Sequence, residues 1–190
     1  MPHHTSALLA ALHRRTETIL QKAIAEWQML PPERLAASPA PGKWSAAQCL
    51  QHLNHYGHHY LPAIERAIQQ AQQRGSQPAA EFHPGWLGAY FTGLMLPQPD
   101  GSLKTKMKSP KEAVPSAAPD PVATLAEFIE QQERTLQLLE AARSVNMNTV
   151  WVPTSLSRWI RLRLGDTFGF VVAHNERHAL QATRAMNEEL

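Results

Sequence analysis

The strongest constraint on this chain is a set of four separated apolar stripes at helical spacing. Leu9, Leu12, Thr16, Leu20, Ala23 and Trp27 recur at steps of three and four, the period that lines one face of an α-helix. Cys49, Leu53, Tyr56 and Tyr60 form a second stripe, continued by Ile64, Ala67 and Ile68. Val122, Leu125, Ile129, Gln132, Leu136 and Leu139 form a third, and Phe168, Val172, Ala179, Ala182 and Met186 a fourth. Four stripes of this kind bury one another around a four-sided core. The spacing therefore predicts an all-α fold, a four-helix bundle packed antiparallel or nearly so.

Local signals place the ends of the helices. The first is expected from about Ser6 to Met29, with Thr5 or Ser6 as cap and Pro31-Pro32 as stop. The stretch PPERLAASPAPGKWS, rich in proline and small residues, reads as a loop. The second helix opens at Ser45, where SAAQ is a capping box and Trp44 and Cys49 hold the positions of a hydrophobic staple. Pro62 removes a backbone donor and predicts a kink. Asp120 caps the third helix, with Pro121 in its first turn. The fourth is expected from about Gly165 to Glu188. No segment reads as a strand, and no internal repeat or Gly-rich phosphate loop is present. Residues 75–119, dense in Gly and Pro, form a long irregular connection between the second and third helices, with room for a short helix near Trp86–Leu94. A connection of that length argues for a functional lid or for mobility.

A chain of 190 residues fits one domain, spanning 1–190. A single cysteine, Cys49, excludes an intrachain disulfide and a cysteine-based zinc site. The N-terminal residues do not read as a signal peptide, and no stretch is long enough to span a membrane. Both point to the cytoplasm, and His3 and His4 read as part of a floppy terminus. The net charge of +2 is too slight to imply nucleic acid. Arg158, Arg161 and Arg163 near Trp151 and Trp159 make only a small basic footprint.

Ten histidines are the unusual part of the composition, each a ligand or proton carrier near neutral pH. In AHNERHALQATR, His174 and His178 stand four residues apart, one turn apart on one helix face. Gln181 continues that face, and Val171 and Ala185 flank it. With so many histidines such a pair also arises by chance, and His55 and His59 make another. His52 lies beside the stripe of Cys49, Leu53 and Tyr56. Taken alone it reads as a half-buried helix histidine with a water or hydroxyl partner. Together His52, His174 and His178 can supply three nitrogens to one divalent ion and leave positions open for water or substrate. Zinc and nickel accept such a set, and so does iron.

The segments WSAAQCLQHL and LGDTFGFVVAHNERHALQATR resemble the two signature segments of the DinB/YfiT-like superfamily. The matching positions are Trp44, Ser45, His52, Leu53, His174, His178 and Gln181. KMKSPKEAVP resembles the Pro-rich stretch that many members carry between their second and third helices. The resemblance implies a four-helix bundle with a three-His metal site formed by His52, His174 and His178. It also implies a metal-dependent thiol transferase or isomerase, in which the ion activates a low-molecular-weight thiol toward a small electrophilic substrate. With water in the open position instead, the site reads as that of a hydrolase. Gln181 and His55 are then the candidates for orienting nucleophile or substrate, while His58 and His59 read as polar surface. The connection 76–118 would shape the pocket mouth, with Trp86, Tyr90 and Phe91 as apolar walls and Lys104, Lys106 and Lys108 near an anionic group. The alternative is a non-catalytic metal-binding or dimeric interaction protein of the same fold. The resemblance and the aromatic-rich loops point to a homodimer.

Overall fold

The computed structural model describes residues 2–98, 102, 109–155, 157 and 159–187. Within them the fold is all-α. Four long helices carry the core: α1 (Thr5–Ala25), α3 (Ala46–Gln73), α5 (Pro121–Ala141) and α6 (Leu164–Asn187). Helices α1 and α3 each pack against both α5 and α6. Each helix thus has two long neighbours to cover its stripe.

The caps explain where two of these helices begin. The Ser45 hydroxyl accepts from the Gln48 amide at 3.2 Å, and the Gln48 side-chain carbonyl accepts from the Ser45 amide at 3.0 Å. That closes the predicted capping box. The Asp120 carboxylate accepts from the amides of Val122 and Ala123, both at 2.9 Å, with Pro121 in the first turn. Helix α1 differs from expectation: His4 is its N-cap residue, and no side chain caps it. Helix α3 is assigned as one helix through Pro62.

Burial corrects the stripes on α1 and α5. On α1 it is Ile19, not Leu20, that is buried, and Trp27 stands in a separate 3₁₀ turn, Trp27–Met29. On α5 Val122 is exposed, and the stripe runs through Phe128, which is fully buried and tilted against Trp27 at 6.1 Å. Val122 stands in the first turn of α5, where period alone does not decide exposure.

Shorter elements fill what sequence reads as loops. Helix α2 (Pro32–Ala36) starts on the second proline of the expected stop. Proline suits the first turn of a helix, where its missing donor has no partner to lose. Helix α4 (Trp86–Met95) realises the short helix expected there and packs on α6. Two minimal antiparallel ribbons also form, where none was expected. In one, β1 (His3–His4) pairs with β2 (Glu81–Phe82), so His3 and His4 are held in a ladder rather than floppy. In the other, β3 (Trp151–Pro153) pairs with β4 (Arg161–Arg163). Among the described residues no helix is long and apolar enough to cross a membrane.

Gly88 sets the seat of α4. A Cβ there would lie 2.3 Å from the Asp166 side chain of α6. Asp166 also accepts from the Gly85 amide at 3.0 Å, at the start of α4. Burial pushes the Asp166 carboxyl above its ordinary range, while the Gly85 amide and Arg163 oppose that rise.

The apolar interior divides into two clusters. One gathers Leu9, Leu12, Tyr60, Ile64, Leu139 and Phe168, with Val171 to Ala173. The other gathers Trp27, Cys49, Leu50, Leu53, Phe128 and Met186, with Ala179 and Ala182. The corrected stripe predicts that Phe128→Ala costs about 3–5 kcal/mol, the usual range for a buried aromatic. Val122→Ala should stay within about 0.5 kcal/mol. Urea unfolding of the two variants beside the wild type measures the contrast, and equal losses would restore the stripe through Val122.

Candidate metal centre

Along α6 the first apolar cluster ends at Ala173 and the second resumes at Ala179. Between them lies the run His174-Asn175-Glu176-Arg177-His178. His174, Asn175 and Arg177 are buried, and His178 is half-buried. Facing them from α3 is His52, also buried.

The three imidazoles converge. One ligand nitrogen from each of His52, His174 and His178 lies within 4.8 Å of the others. His52 Nε2 and His174 Nε2 are 3.3 Å apart. Two bare lone pairs repel at that separation, so a proton or a cation must lie between them. Around a tetrahedral zinc ion, with Zn–N bonds of about 2.0–2.1 Å, neighbouring nitrogens stand about 3.3 Å apart. The donor set fits a divalent ion. Among the described residues no fourth His, Cys, Asp or Glu joins this cluster.

Hydrogen bonds orient the rings. His52 Nδ1 lies 2.7 Å from the Ala113 carbonyl. A carbonyl can only accept, so Nδ1 carries the proton and Nε2 presents its lone pair inward. His178 Nδ1 likewise donates to the Gln181 side-chain carbonyl at 3.0 Å, which leaves its Nε2 bare. Ser109 Oγ lies 3.4 Å from His52 Nδ1 and donates to the same Ala113 carbonyl at 3.3 Å. Ala113 is delivered by the tail of the long connection, in the 3₁₀ turn Lys111–Ala113. That tail is laced to α3: the Gln51 side chain accepts from the Ser116 amide at 2.7 Å, and Gln48 donates to the Ser116 carbonyl at 3.0 Å.

Aromatic rings pack around the three imidazoles, Phe170 from the inner side and Tyr56 and Trp44 in the cleft wall. Phe170 stacks on His174 at 5.7 Å and Tyr56 meets it edge-on at 4.6 Å. Trp44 lies 5.1 Å from the His52 ring and 6.1 Å from His178. The outer side opens into a cleft of about 560 Å³. Its walls include all three histidines, Gln181, Met95 and Ser109.

Sequence reasoning put three aromatic residues in those walls, and the structure places them elsewhere. Trp86 and Tyr90 are exposed, and Phe91 packs toward Phe170 at 6.4 Å. Met95, one turn beyond Phe91 on α4, lines the cleft instead. Lys104, Lys106 and Lys108 lie outside the described residues, as does Arg158. His55 is exposed, edge-on to Tyr56, and is not part of the cleft wall. His58 pairs with Glu127, and His59 Nε2 lies 3.3 Å from the Pro153 carbonyl. Arg163 stands over the Trp151 ring and donates to the His83 carbonyl, which gives part of the Arg–Trp footprint a structural use. Sequence reasoning missed Ser109, Ala113, Arg177 and Arg184. The two arginines were detectable: each stands three residues beyond a residue already singled out on α6.

Electrostatics favour neutral rings. Burial pushes His52 below its ordinary value of 6.5, with His55 adding to the effect and the Ala113 bond opposing it. His174 is pushed well below by burial, then by His178, His52 and Arg177. His178 falls to about 3, chiefly through burial and then through His52 and Arg177, against the Gln181 bond. Neutral imidazole is the form that binds a metal. A histidine with a lowered folded pKa binds fewer protons folded than unfolded, so stability rises with pH across the gap. For His178 that contribution is complete above about 6.5 and is lost as pH falls toward about 3. In chelator, the wild-type urea midpoint should therefore drop between pH 7 and pH 4, and His178→Gln should drop less. Parallel pH curves for the two proteins would contradict a buried, neutral His178.

No curated protein and no solved structure matches the chain. The family model described as the DinB superfamily matches residues 9–182. That match takes in both His52 on α3 and His174 and His178 on α6, so the three-His cluster sits within the matched region. The chain belongs to the DinB superfamily.

Proposed function

We propose that this protein is a metal-dependent enzyme in which His52, His174 and His178 hold one divalent ion, zinc or nickel before iron. The observation that carries the reading is the convergence of three imidazoles, two of them oriented by hydrogen bonds at Nδ1, in the wall of a cleft. An ion bound there would lower the pKa of a thiol or water in an open position and make it a nucleophile near neutral pH. The reaction class is then transfer of a low-molecular-weight thiol to a small electrophile, or hydrolysis.

The chain's own groups have separate tasks in this reading. Ala113 and Gln181 hold the ligand rings by their Nδ1 protons, as partners of metal-bound histidines commonly do. Gln181 thus positions His178. Phe170 packs against His174 on the inner side, Tyr56 and Trp44 stand beside the rings in the cleft wall, and the cleft admits substrate. Because burial lowers all three histidines, protons compete with the metal only below the ordinary histidine range.

A second reading is a non-catalytic metal-binding protein or homodimer. The exposed Trp86, Tyr90 and Trp159 favour a protein contact. The site favours the enzyme: structural zinc is usually closed by four protein ligands, and an ion held only for stability has no use for a cleft beside it.

Elemental analysis of protein purified without a nickel column should find one ion per chain. His178→Ala should lose that ion, together with metal-dependent stabilisation, which reaches about 4 kcal/mol at a thousandfold excess over Kd. His59→Ala should keep both. The wild type should also couple a small thiol to a fluorogenic electrophile, and His178→Ala should not. Full metal content in His178→Ala would sink the site; one tightly bound ion without any thiol or water chemistry would hand the case to the second reading.

A further inference from the structure

Two of the three ligand rings are held at Nδ1 by the protein, His52 by the Ala113 carbonyl and His178 by the Gln181 side chain. The third is held differently. His174 is buried, and among the described residues its hydrogen-bond contact is the one to His52, through Nε2. A buried ring nitrogen without a partner is costly, so the surroundings of His174 Nδ1 decide what fixes this ring.

A second cavity, of about 10 Å³, lies where α3, α5 and α6 meet, and it shares Tyr56 and His174 with the cleft. Nε2 of His174 faces His52, so Nδ1 is the nitrogen left for the cavity. The space is at the threshold for one water, about 10–15 Å³, and a water settles in such a space when two to four polar groups line it. Gln132, Thr135 and Asn175 line this one, and all three are buried. Thr135 Oγ1 gives its proton to the Gln131 carbonyl at 2.8 Å, which leaves its lone pairs to accept. Asn175 donates to the Gln132 side-chain carbonyl at 3.1 Å. The Gln132 amino group and the Asn175 side-chain carbonyl have capacity beyond that bond.

A water also suits His174 better than a fixed acceptor would. The His52 proton is on Nδ1, so without an ion the proton between the two Nε2 atoms belongs to His174. His174 Nδ1 is then bare and needs a donor. Once Nε2 binds an ion, the ring's one proton stands on Nδ1, which needs an acceptor instead. A carbonyl serves only the second arrangement. A water serves both, at unchanged ring charge.

We propose that this cavity binds one water, held by His174 Nδ1, Gln132, Thr135 and Asn175, and that this water lets His174 change the nitrogen that carries its proton when metal enters. The water site rests on the protein's own residues; only the change of nitrogen rests on the metal reading.

Proton–nitrogen correlation spectra of the full chain, carrying isotope-labelled histidine, test it at pH 8 in chelator and with one equivalent of zinc. His174 should carry its proton on Nε2 in chelator and on Nδ1 with zinc, while His52 and His178 carry theirs on Nδ1 throughout. In the zinc-loaded protein a rotating-frame Overhauser cross-peak should join the His174 Nδ1 proton to a long-lived water. Val171→Ile adds a methylene to the cavity wall. It should remove that cross-peak and weaken zinc binding about tenfold, the low end for losing a partner behind a metal-bound histidine. The wild-type spectra stand without the variant. No cross-peak in the wild type, or its loss in the variant with zinc affinity unchanged, would overturn the inference. If the metal reading alone fails, zinc moves no proton, and the water still gives a cross-peak to the Gln132 side-chain amide. If the water inference alone fails, zinc still moves the His174 proton, and no long-lived water is seen at either group.

Discussion

Everything distinctive in this structure follows from burying the run His174-Asn175-Glu176-Arg177-His178 in the middle of an amphipathic helix. A buried polar group left without a partner costs about 1–3 kcal/mol, so the run's three buried members, His174, Asn175 and Arg177, must be met by the surrounding fold. They are met. His174 faces His52, Asn175 donates to Gln132 of α5 at 3.1 Å, and Glu176 pairs with Arg15 of α1. Arg177 reaches the α4 backbone, and His178 is held by Gln181. The run therefore ties α6 to α1, α3, α4 and α5, where an apolar helix would only pack against them. It also splits the core into its two apolar clusters.

The long connection between α3 and α5 has its reason in the same constraint. His52 needs an acceptor for its outer nitrogen if the inner one is to face His174. Among the described residues none of the four long helices supplies it. The tail of the connection does, with the Ala113 carbonyl, and the bonds from Gln48 and Gln51 fix that tail to α3. Gln48 serves twice, since it also closes the capping box that starts the helix. Helix initiation and the anchoring of the tail that carries Ala113 thus share a side chain. At the other end of the connection, α4 is seated on α6 by Gly88 and Asp166 and brings Met95 to the cleft. What reads as an irregular loop is a frame for the site.

Much of this was legible from residue order. Caps made of a side chain and the adjacent backbone, as at Ser45 and Asp120, depend on a few neighbouring residues and can be read directly. The same holds for helix period, which brought His174, His178 and Gln181 to one face. Where sequence reasoning went astray, the deciding contact was distant. Val122 and Phe128 are both apolar on α5, and the second one is core because Trp27 and the other residues of its cluster gather around it. Trp86, Tyr90 and Phe91 were expected in the cleft because they are aromatic and near it in sequence. The rotation of α4 on α6, set by Gly88, turned Met95 inward in their place.

By itself the sequence determined the all-α class, the four stripes and the helix faces that carry histidine, because these depend on period and on local hydrogen bonding. Tertiary structure alone decided that His52 meets His174 at 3.3 Å. It also decided that an alanine carbonyl orients His52 and that Arg177 and Arg184 stand on the cleft wall. The reason is physical. A ligand nitrogen's direction and a histidine's charge depend on partners from other elements and on how much water the assembled core excludes, and neither is a property of neighbouring residues.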